Sequence, residues 1–497
     1  MNWLLILDHV PALPEAVLLV GACVALLADQ VLGDGRRRAT GWIAHAVLAL
    51  CAASTLFVFW VSGGGKFLLF NGLYIADAMG HVLKLFCYAA TAATLVYSRA
   101  YLFSRGLLRG ELVALMLFAL LGMMVMISAS SFLTLYLGLE LMSLCLYALV
   151  ALDRDSPLAT EAAMKYFVLG ALSSGLLLYG MSMIYGATGG LGINEVAQAV
   201  ARLPAGGADR SFLVFGTVFL VAGMAFKLGV VPFHMWLPDV YHGAPTPVTL
   251  FLSAGPKIAA FAMAMRLLVN GLSDLAADWQ QMLVLLSLLS MALGNITAIA
   301  QTNLKRMLAY SAIAHMGFML LGLLAGLVDG NWLNREEAYS AAMFYVLVYS
   351  IMSVAAFGML LYLSHAGFDC EKLDDLRGLN RRSPWTAFLM LLTMLSLAGI
   401  PPTAGFYAKL AVISAAVGAG QLWLAVAAVL LSLVGAYYYL RVVKLMYFDE
   451  PTEASALPIQ SGVAMRVLLS ANALGLLLIG LLPQMLMSLC YAAIALL

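Results

Sequence analysis

Apolar segments of about 20 residues follow one another along the whole chain, and they restrict its fold more than any other feature. Of its 497 residues, 64% are hydrophobic and only 10% are charged. A helix of that length crosses the hydrocarbon core of a bilayer, and soluble domains do not have such a composition. The sequence therefore predicts an all-α polytopic membrane protein with about fourteen spans. They lie near residues 13–32, 40–61, 73–97, 110–128, 131–151, 158–186, 211–230, 247–269, 280–300, 304–326, 339–364, 385–417, 420–446 and 464–487.

Basic residues in the loops between spans predict the orientation of the chain. Most of them, including Arg36, Arg37 and Arg38, stand in loops that follow odd-numbered spans. Loops rich in lysine and arginine face the cytoplasm, so both termini are expected on the outer side. The chain has no other basic run, and we expect no contact with nucleic acid. No two of the six cysteines have a CxxC spacing, which argues against a disulfide framework and against metal or iron–sulfur sites.

Prolines are predicted to interrupt two of the spans. Residues 231–246 follow the seventh span and are too polar for lipid, and residues 399–405 (GIPPTAG) divide the twelfth. Proline removes a helical hydrogen bond, so Pro232 leaves the carbonyl of Leu228 without its usual donor. Loosened backbone of this kind is tolerated in a membrane only where protein or water covers it. Helix breaks are therefore predicted at Pro232, Pro401 and Pro402 in these two spans, and also at Pro256 in the eighth span.

The two interrupted spans occupy matching places in two units of five spans. Spans four to eight form one unit and spans nine to thirteen the other, and the fourth member of each is interrupted. Units with an odd number of spans face opposite ways, so the pattern indicates two inverted five-helix repeats, an arrangement typical of transporters. The predicted segments are 1–108 with three N-terminal helices, 109–270 with the first repeat, 279–448 with the second, inverted repeat, and 460–497 with the last helix.

Six ionisable residues are predicted well inside the spans, where one charge costs at least ~2.5–3.5 kcal/mol. One glutamate cannot pair with four lysines, so static ion pairs explain one lysine at most. Lysine can lose its proton when it is desolvated, which favours a proton relay over static pairing. Two lysines remain open to snorkelling towards the interface, and the histidine is as easily explained as a hydrogen-bonded core residue. The six are Glu140, Lys165, Lys227, Lys257, His315 and Lys409.

Three further ionisable residues stand at the start of the third span. Asp77, His81 and Lys84 share one helix face, because they are spaced at i, i+4 and i+7. Since they begin a span, we interpret them mainly as an interfacial cluster.

Five stretches, which carry all of the six ionisable residues except Lys257, resemble the antiporter-like membrane subunits of respiratory NADH:quinone oxidoreductase (complex I), and the N-type subunits most of all. The resemblance covers nearly the whole chain. The stretches are LYLGLELMSLCLYALVA (135–151), EAAMKYFVLGALSSGLLLYG (161–180), FKLGVVPFHMWLPDVYHGAPTPV (226–248), NLKRMLAYSAIAHMGF (303–318) and AGIPPTAGFYAKL (398–410).

The resemblance implies a proton path through the chain. Protons would enter from the cytoplasm near Lys165 and Lys227, cross through Lys257 and His315, and leave near Lys409. Glu140 would pair with Lys227 and pass the signal to the neighbouring subunit.

The resemblance also implies where the redox chemistry lies. No cofactor is expected in this chain, while FMN, iron–sulfur clusters and quinone are expected in partner subunits. The implied partners are membrane subunits of the L, M, K, J, A and H types, in a bacterial inner membrane.

Three other functions remain open. A subunit of a multi-subunit cation/proton antiporter would share the fold and the buried lysines, and sodium flux without an NADH dehydrogenase partner would favour it. A membrane subunit linked to a hydrogenase would be encoded beside hydrogenase genes. A purely structural scaffold would keep its ratio of protons to electrons when its lysines are replaced.

Overall fold

The computed structural model describes residues 10–32, 37–202, 208–326, 335–364, 367–451 and 462–496. Parts of the first and last predicted segments (residues 1–9, 460–461 and 497) and the loop residue Arg36 lie outside this description. In the described residues, thirteen helices are long and apolar enough to cross a membrane. The predicted twelfth span is divided into two shorter helices. The all-α polytopic fold with about fourteen spans is confirmed.

The described residues form nineteen α-helices, numbered here in chain order, and the longer ones match the predicted spans to within a few residues at most ends. They are α1 (Leu13–Leu32), α2 (Arg37–Ser62), α3 (Ala78–Ser104), α4 (Gly110–Ile127), α5 (Phe132–Val150), α6 (Pro157–Thr188), α7 (Ile193–Arg202), α8 (Ala208–Leu228), α9 (Trp236–Gly243), α10 (Thr246–Ala264), α11 (Ala276–Ile299), α12 (Leu304–Leu324), α13 (Arg335–Leu363), α14 (Leu379–Arg382), α15 (Pro384–Ala398), α16 (Ala404–Gly418), α17 (Leu422–Tyr447), α18 (Val463–Leu481) and α19 (Pro483–Ala495).

The remaining regular structure is short. An antiparallel hairpin joins β1 (Phe67–Leu69) to β2 (Tyr74–Ala76) between α2 and α3. A π-helix, Met265–Gly271, continues α10. Turns of 3₁₀-helix lie at Val10–Ala12, Ser273–Leu275 and Leu373–Leu376.

Polar side chains fix where several helices begin. Asp77 precedes α3, Ser131 precedes α5, Ser156 precedes α6 and Asn303 precedes α12, and each accepts a hydrogen bond from a backbone N–H of the first turn. Such caps satisfy donors that have no partner inside the helix. In lipid this matters more than in water, because no solvent can replace the missing acceptor.

Helix α10 lies at the centre of the bundle. Every one of its residues is buried, and it packs against α3, α4, α8 and α13. The predicted break at Pro256 is wrong, because α10 continues through this proline without interruption. The proline removes one backbone donor, but neighbouring helices surround α10 on all sides and keep the segment helical.

The other two predicted interruptions are present. Helix α8 ends at Leu228 and helix α15 ends at Ala398. Each is followed at once by a glycine with positive φ, Gly229 at 74° and Gly399 at 80°. That conformation is readily available only to glycine, so the chain turns out of the helix at these positions.

The same pair of backbone hydrogen bonds occurs once in each predicted five-span unit. In the first unit, Phe132 N donates to Leu191 O, and Ile193 N donates to Ser130 O. In the second unit, the equivalent bonds run from Leu304 N to Glu371 O and from Leu373 N to Thr302 O. In both units they tie the start of the second span to the chain that follows the third.

Backbone contact through glycines holds the first two spans of the first unit together. A Cβ atom added at Gly122 in α4 would lie 2.4 Å from Met142 N and 2.7 Å from Gly138 O in α5. We therefore expect Gly122→Val to force the two helices apart. It should lower the free energy of unfolding of the protein in detergent by about 3 kcal/mol or more, the upper range for overpacking.

Gly175 in α6 provides the matched control, because a Cβ atom there meets nothing within 4 Å. Gly175→Val should melt close to the wild type. Equal melting temperatures for the two variants would contradict the close packing of α4 and α5.

Candidate functional site

Lys257 lies against the end of the interrupted helix α8. Its Nζ donates to the carbonyl of Leu228 at 2.7 Å and is 3.4 Å from the carbonyl of Lys227. The Leu228 carbonyl is the one that Pro232 leaves without a helical donor. A helix C-terminus also carries partial negative charge, so this position suits a buried cation.

Lys409 occupies the corresponding position at the second interruption. Its Nζ donates to the carbonyl of Ala398 at 2.8 Å and to the Ser432 hydroxyl at 3.0 Å. Ala398 is the last residue of α15 and stands four residues before Pro402, so its carbonyl likewise lacks a helical donor. In both interrupted helices, therefore, the last carbonyl accepts a hydrogen bond from a lysine ammonium. Lys257 comes from a different helix, α10, whereas Lys409 comes from the second half of its own span.

Lys227 and Glu140 do not form the direct pair that the resemblance implies. Lys227 donates to the Ser143 hydroxyl at 2.9 Å, and no ion pair involves Lys227 in the part of the chain that the structure describes. Glu140 stands on the same helix one turn before Ser143, and its Oε1 atom is buried without a hydrogen-bond partner among the described residues. The Glu140 carboxylate therefore acts on Lys227 electrostatically, without a hydrogen bond. The side chain that contacts the Lys227 ammonium is that of Ser143.

The prediction that Lys165 is buried is wrong. Its side chain is 43% exposed and forms ion pairs of 2.8 Å with Glu161 and with Asp239. Met164 and Val168, its near neighbours on α6, are also exposed. The depth of a residue along a helix does not fix the face that it occupies, and Lys165 stands on an outward one.

Asp239 binds two cations from different helices. Its carboxylate accepts from Lys165 and, at 2.8 Å, from Arg306 at the start of α12. Burial alone would raise the pKa of Asp239, but the hydrogen bonds from Lys165 and Arg306 outweigh it and hold this pKa below its usual value. The carboxylate therefore stays ionised and joins the short helix α9 to α6 and α12.

His315 belongs to a network of tyrosine hydroxyls. Its Nδ1 is 2.7 Å from the hydroxyl of Tyr345 on α13, and its Nε2 is 3.2 Å from that of Tyr439 on α17. Lys409 lies over the ring of Phe318, one turn along α12 from His315, at 5.0 Å. These contacts place His315 between two hydroxyls that can each donate or accept a hydrogen bond.

Sequence reasoning missed the hydroxyl partners of the charged residues. Tyr345 and Tyr349 stand one helical turn apart in α13, and the Tyr349 ring lies 5.3 Å from that of His315. Ser143 and Ser432 contact the two lysines nearest to them. Hydroxyl residues spaced by one turn in otherwise apolar spans were the available signal.

The residues of the candidate path form two groups, one in each half of the bundle. Lys257 Nζ is 3.4 Å from the carbonyl of Lys227 at the end of α8, and Lys409 lies over the ring of Phe318, one turn from His315. No hydrogen bond joins Lys257 to His315 within the described ranges. The Tyr241 hydroxyl, which is buried and unpartnered among these residues, is a polar group able to hold a bridging water.

A polar cavity of about 630 Å³ opens where α10 and α12 begin. On its wall Lys305, buried at the start of α12, donates to Glu371 at 3.0 Å and to the carbonyl of Ala244 at 2.8 Å. Burial lowers the pKa of His242 on the same wall, while the nearby Glu371 carboxylate opposes that shift. The cavity is open, so water can reach the bundle there, and the loop charges predict the cytoplasm on this side.

Comparison with known proteins assigns the family. Residues 129–435 match the model of the NADH:quinone oxidoreductase/Mrp antiporter membrane region. The chain belongs to this family. The match includes both interrupted spans and all six ionisable residues singled out from the sequence, so the geometry described above lies within the family's own region.

Relatives of the family resemble the chain over nearly its full length. The NADH-quinone oxidoreductase subunit N of Thiobacillus denitrificans is 58% identical over 490 residues, 98% of each chain. A chain of respiratory complex I from Thermus thermophilus with bound aureothin is 35% identical, with a TM-score of 0.78 over 96% of this chain and 98% of that one. A chain of the Mrp complex from Dietzia sp. has a TM-score of 0.80 over 97% of each, and at 23% identity it shows the shared fold alone.

The ion pairs of Asp239 predict a pH-dependent contribution to stability. A depressed pKa means that the carboxylate stabilises the fold above its unfolded-state pKa of about 3.9, and that this stabilisation is lost as the pH falls through the lower folded-state value. At pH 7 we expect Asp239→Asn to lower the stability of the detergent-solubilised protein by about 1 kcal/mol, since the pairs are partly exposed. Melting curves should show this deficit shrink as the pH falls below about 3.9 and disappear below the folded-state pKa.

Glu450→Gln is the control for this experiment, because the pair between Glu450 and Arg381 is highly exposed. It should change the melting temperature at neither pH 7 nor pH 3. A deficit of Asp239→Asn that persists unchanged at pH 3 would refute an electrostatic role for Asp239.

Proposed function

We propose that the chain is the N-type proton-translocating membrane subunit of NADH:quinone oxidoreductase. The family, and the relative of that name at 58% identity over 98% of both chains, support this function. The structural observation that carries it is the placement of Lys257 and Lys409 on the free carbonyls of the two interrupted helices. A static scaffold needs no such pair of buried amines.

Protons enter from the cytoplasmic side and reach Lys227 in the first half of the path. They pass to Lys257, cross the centre by way of water and the tyrosine hydroxyls to His315, and leave through Lys409. Glu140 on α5 changes the proton affinity of Lys227 electrostatically. It also passes the signal to the neighbouring subunit. Lys165 takes no part in proton transfer and instead forms an ion pair with Asp239.

Small changes in electrostatic energy are enough to drive these transfers. A carboxylate about 6 Å from a lysine, at an effective dielectric of about 20, changes the energy of the ammonium by about 3 kcal/mol. Moving one charge against ~150 mV requires ~3.5 kcal/mol. Because the two are comparable, drawing an acidic group towards a buried lysine and removing it again can load and release a proton, with desolvation supplying the remainder.

The two five-span units act as inverted repeats, bounded at 109–270 and 279–448. The recurring hydrogen bonds at the start of the second span in each unit support this division. The matching pair of proline-interrupted helices, each with its carbonyl on a lysine, supports it as well. An inverted pair gives one half-path to each side of the membrane.

The energy for pumping comes from other subunits of the complex. FMN, iron–sulfur clusters and quinone act in those partners, and this chain performs no redox step. Its membrane neighbours are of the L, M, K, J, A and H types, and it lies in a bacterial inner membrane with both termini outside.

An exchange of cations for protons is the second candidate, since the Mrp complex shares the fold. Sodium transport by the chain in membranes that lack NADH dehydrogenase would favour it. Proton pumping that depends on NADH and is indifferent to sodium would favour the first proposal.

Replacing the buried amines should uncouple pumping from electron transfer. In the assembled complex in proteoliposomes, we expect Lys257→Met, Lys227→Ala and Glu140→Gln each to lower the number of protons pumped per NADH, because each removes a charge that the path needs. The measurement is dye-detected acidification alongside NADH oxidation.

Lys444→Met is the matched control, since Lys444 is an exposed lysine paired with Asp449 at 3.7 Å. It should pump like the wild type. Wild-type stoichiometry in both Glu140→Gln and Lys227→Ala would disprove the proposed path.

A further inference from the structure

The three ionisable residues at the start of α3, which the sequence indicates as an interfacial cluster, are buried within the protein. Asp77, His81 and Lys84 have exposed fractions of only 1%, 2% and 1%. Helix α1, the β-hairpin and the end of α10 cover them, which the sequence of α3 alone does not reveal. The proton path described above uses none of the three.

Two ion pairs frame the cluster. Lys84 Nζ is 2.5 Å from Glu15 Oε1 on α1, and it also donates to the Tyr74 hydroxyl at 3.0 Å, which in turn donates to Glu15 Oε2 at 2.9 Å. Asp77 accepts from Arg266 at 2.6 and 2.9 Å. Every acidic and basic side chain in the cluster therefore has an opposite charge beside it.

His81 lies between the two pairs and has no partner of its own. It stands one turn after Asp77 and one turn before Lys84 on the same helix face. Neither Nδ1 nor Nε2 has a hydrogen-bond partner among the described residues, although an imidazole always has at least one N–H to donate. Among the described residues, its one aromatic neighbour is Phe59 from α2, in a T-shaped arrangement with 6.1 Å between the ring centroids.

The charges around His81 are balanced while the imidazole is neutral. Asp77 and Lys84 come from α3, Glu15 from α1, Tyr74 from the hairpin and Arg266 from the continuation of α10. A proton added to the imidazole is attracted by the carboxylate one turn before it and repelled by the ammonium one turn after it. The two effects therefore oppose each other at the ring.

The cluster extends towards the main path. Lys84 lies about 10 Å below Asp77 along α3, at 1.5 Å per residue. One turn deeper, the Cys87 thiol faces the carbonyl of Gly255 on α10 at 3.9 Å, two residues before Lys257. At its other end, Asp77 and Glu15 stand in the first turns of helices that begin on the side which the loop charges predict to be outside.

We propose that His81 is a proton-carrying group of a second outlet, which leads from the region of Lys257 through Lys84 to the outer side, apart from Lys409. The proposal rests on the proton-translocating function proposed above. In the transfer step, an N–H bond of the Lys84 ammonium breaks and an N–H bond forms on the His81 imidazole, through one bridging water. The positive charge moves with the proton, and the released proton leaves past Asp77 and Glu15 to outer water.

Two substitutions separate proton carriage from hydrogen bonding. His81→Gln keeps a donor and an acceptor for the bridging water but cannot carry a proton, and His81→Phe removes all polarity. In assembled complex in proteoliposomes, both should oxidise NADH at the wild-type rate and pump fewer protons per NADH. His45→Gln is the matched control, because His45 also has one buried, unpartnered ring nitrogen but lies on α2 outside the cluster. It should pump like the wild type.

The outcomes distinguish the outlet from the main path. Wild-type stoichiometry in His81→Gln would overturn the proposal, and His81→Gln decides the question even where His81→Phe fails to assemble. A loss of pumping in Lys257→Met together with full pumping in both His81 variants would overturn the outlet and leave the proposed function standing. Full pumping in Lys257→Met would overturn both.

Discussion

A carbonyl oxygen that has lost its helical donor must find another partner inside a membrane, and the arrangement of this bundle depends on how that need is met. At the end of α8 the partner is Lys257, and at the end of α15 it is Lys409. In each case the ammonium gains a backbone acceptor at a helix C-terminus, and the backbone gains a charged donor. Neither group could be buried there alone at acceptable cost, so the interruption and the lysine require each other.

Local chemistry in the sequence was enough to predict the spans and the two interruptions. Apolar length predicted the helices, and Pro232, Pro401 and Pro402 predicted the two interruptions, which the structure places at Gly229 and Gly399. Local chemistry gave the wrong prediction at Pro256, because this proline lies inside an unbroken helix. The difference is tertiary, because α10 is enclosed by neighbours along its whole length, and no feature within a few residues of Pro256 records that.

Side-chain direction and long-range contacts account for the other errors. Lys165 has the depth of a buried residue but stands on the outward face of α6, beside Asp239 from a segment 74 residues away. In the cluster at the start of α3, Asp77 pairs with Arg266, which is 189 residues away along the chain. Nothing near Asp77 in the sequence signals that arginine. Contacts of this range follow from the packing of whole helices, which single-sequence reasoning does not provide.

The packing also restricts how the halves of the chain can communicate. Helices α10 and α13 are buried along nearly all of their length, and a close-packed interior does not deform by small continuous steps. A large shift of either helix would break contacts on every side at once. Moving a proton onto or off Lys257 changes a full unit of charge without moving any backbone, and that charge acts on Lys227, whose carbonyl it contacts, through a medium of low dielectric. Transfer of charge is therefore the least disruptive signal that such a bundle can carry along its centre.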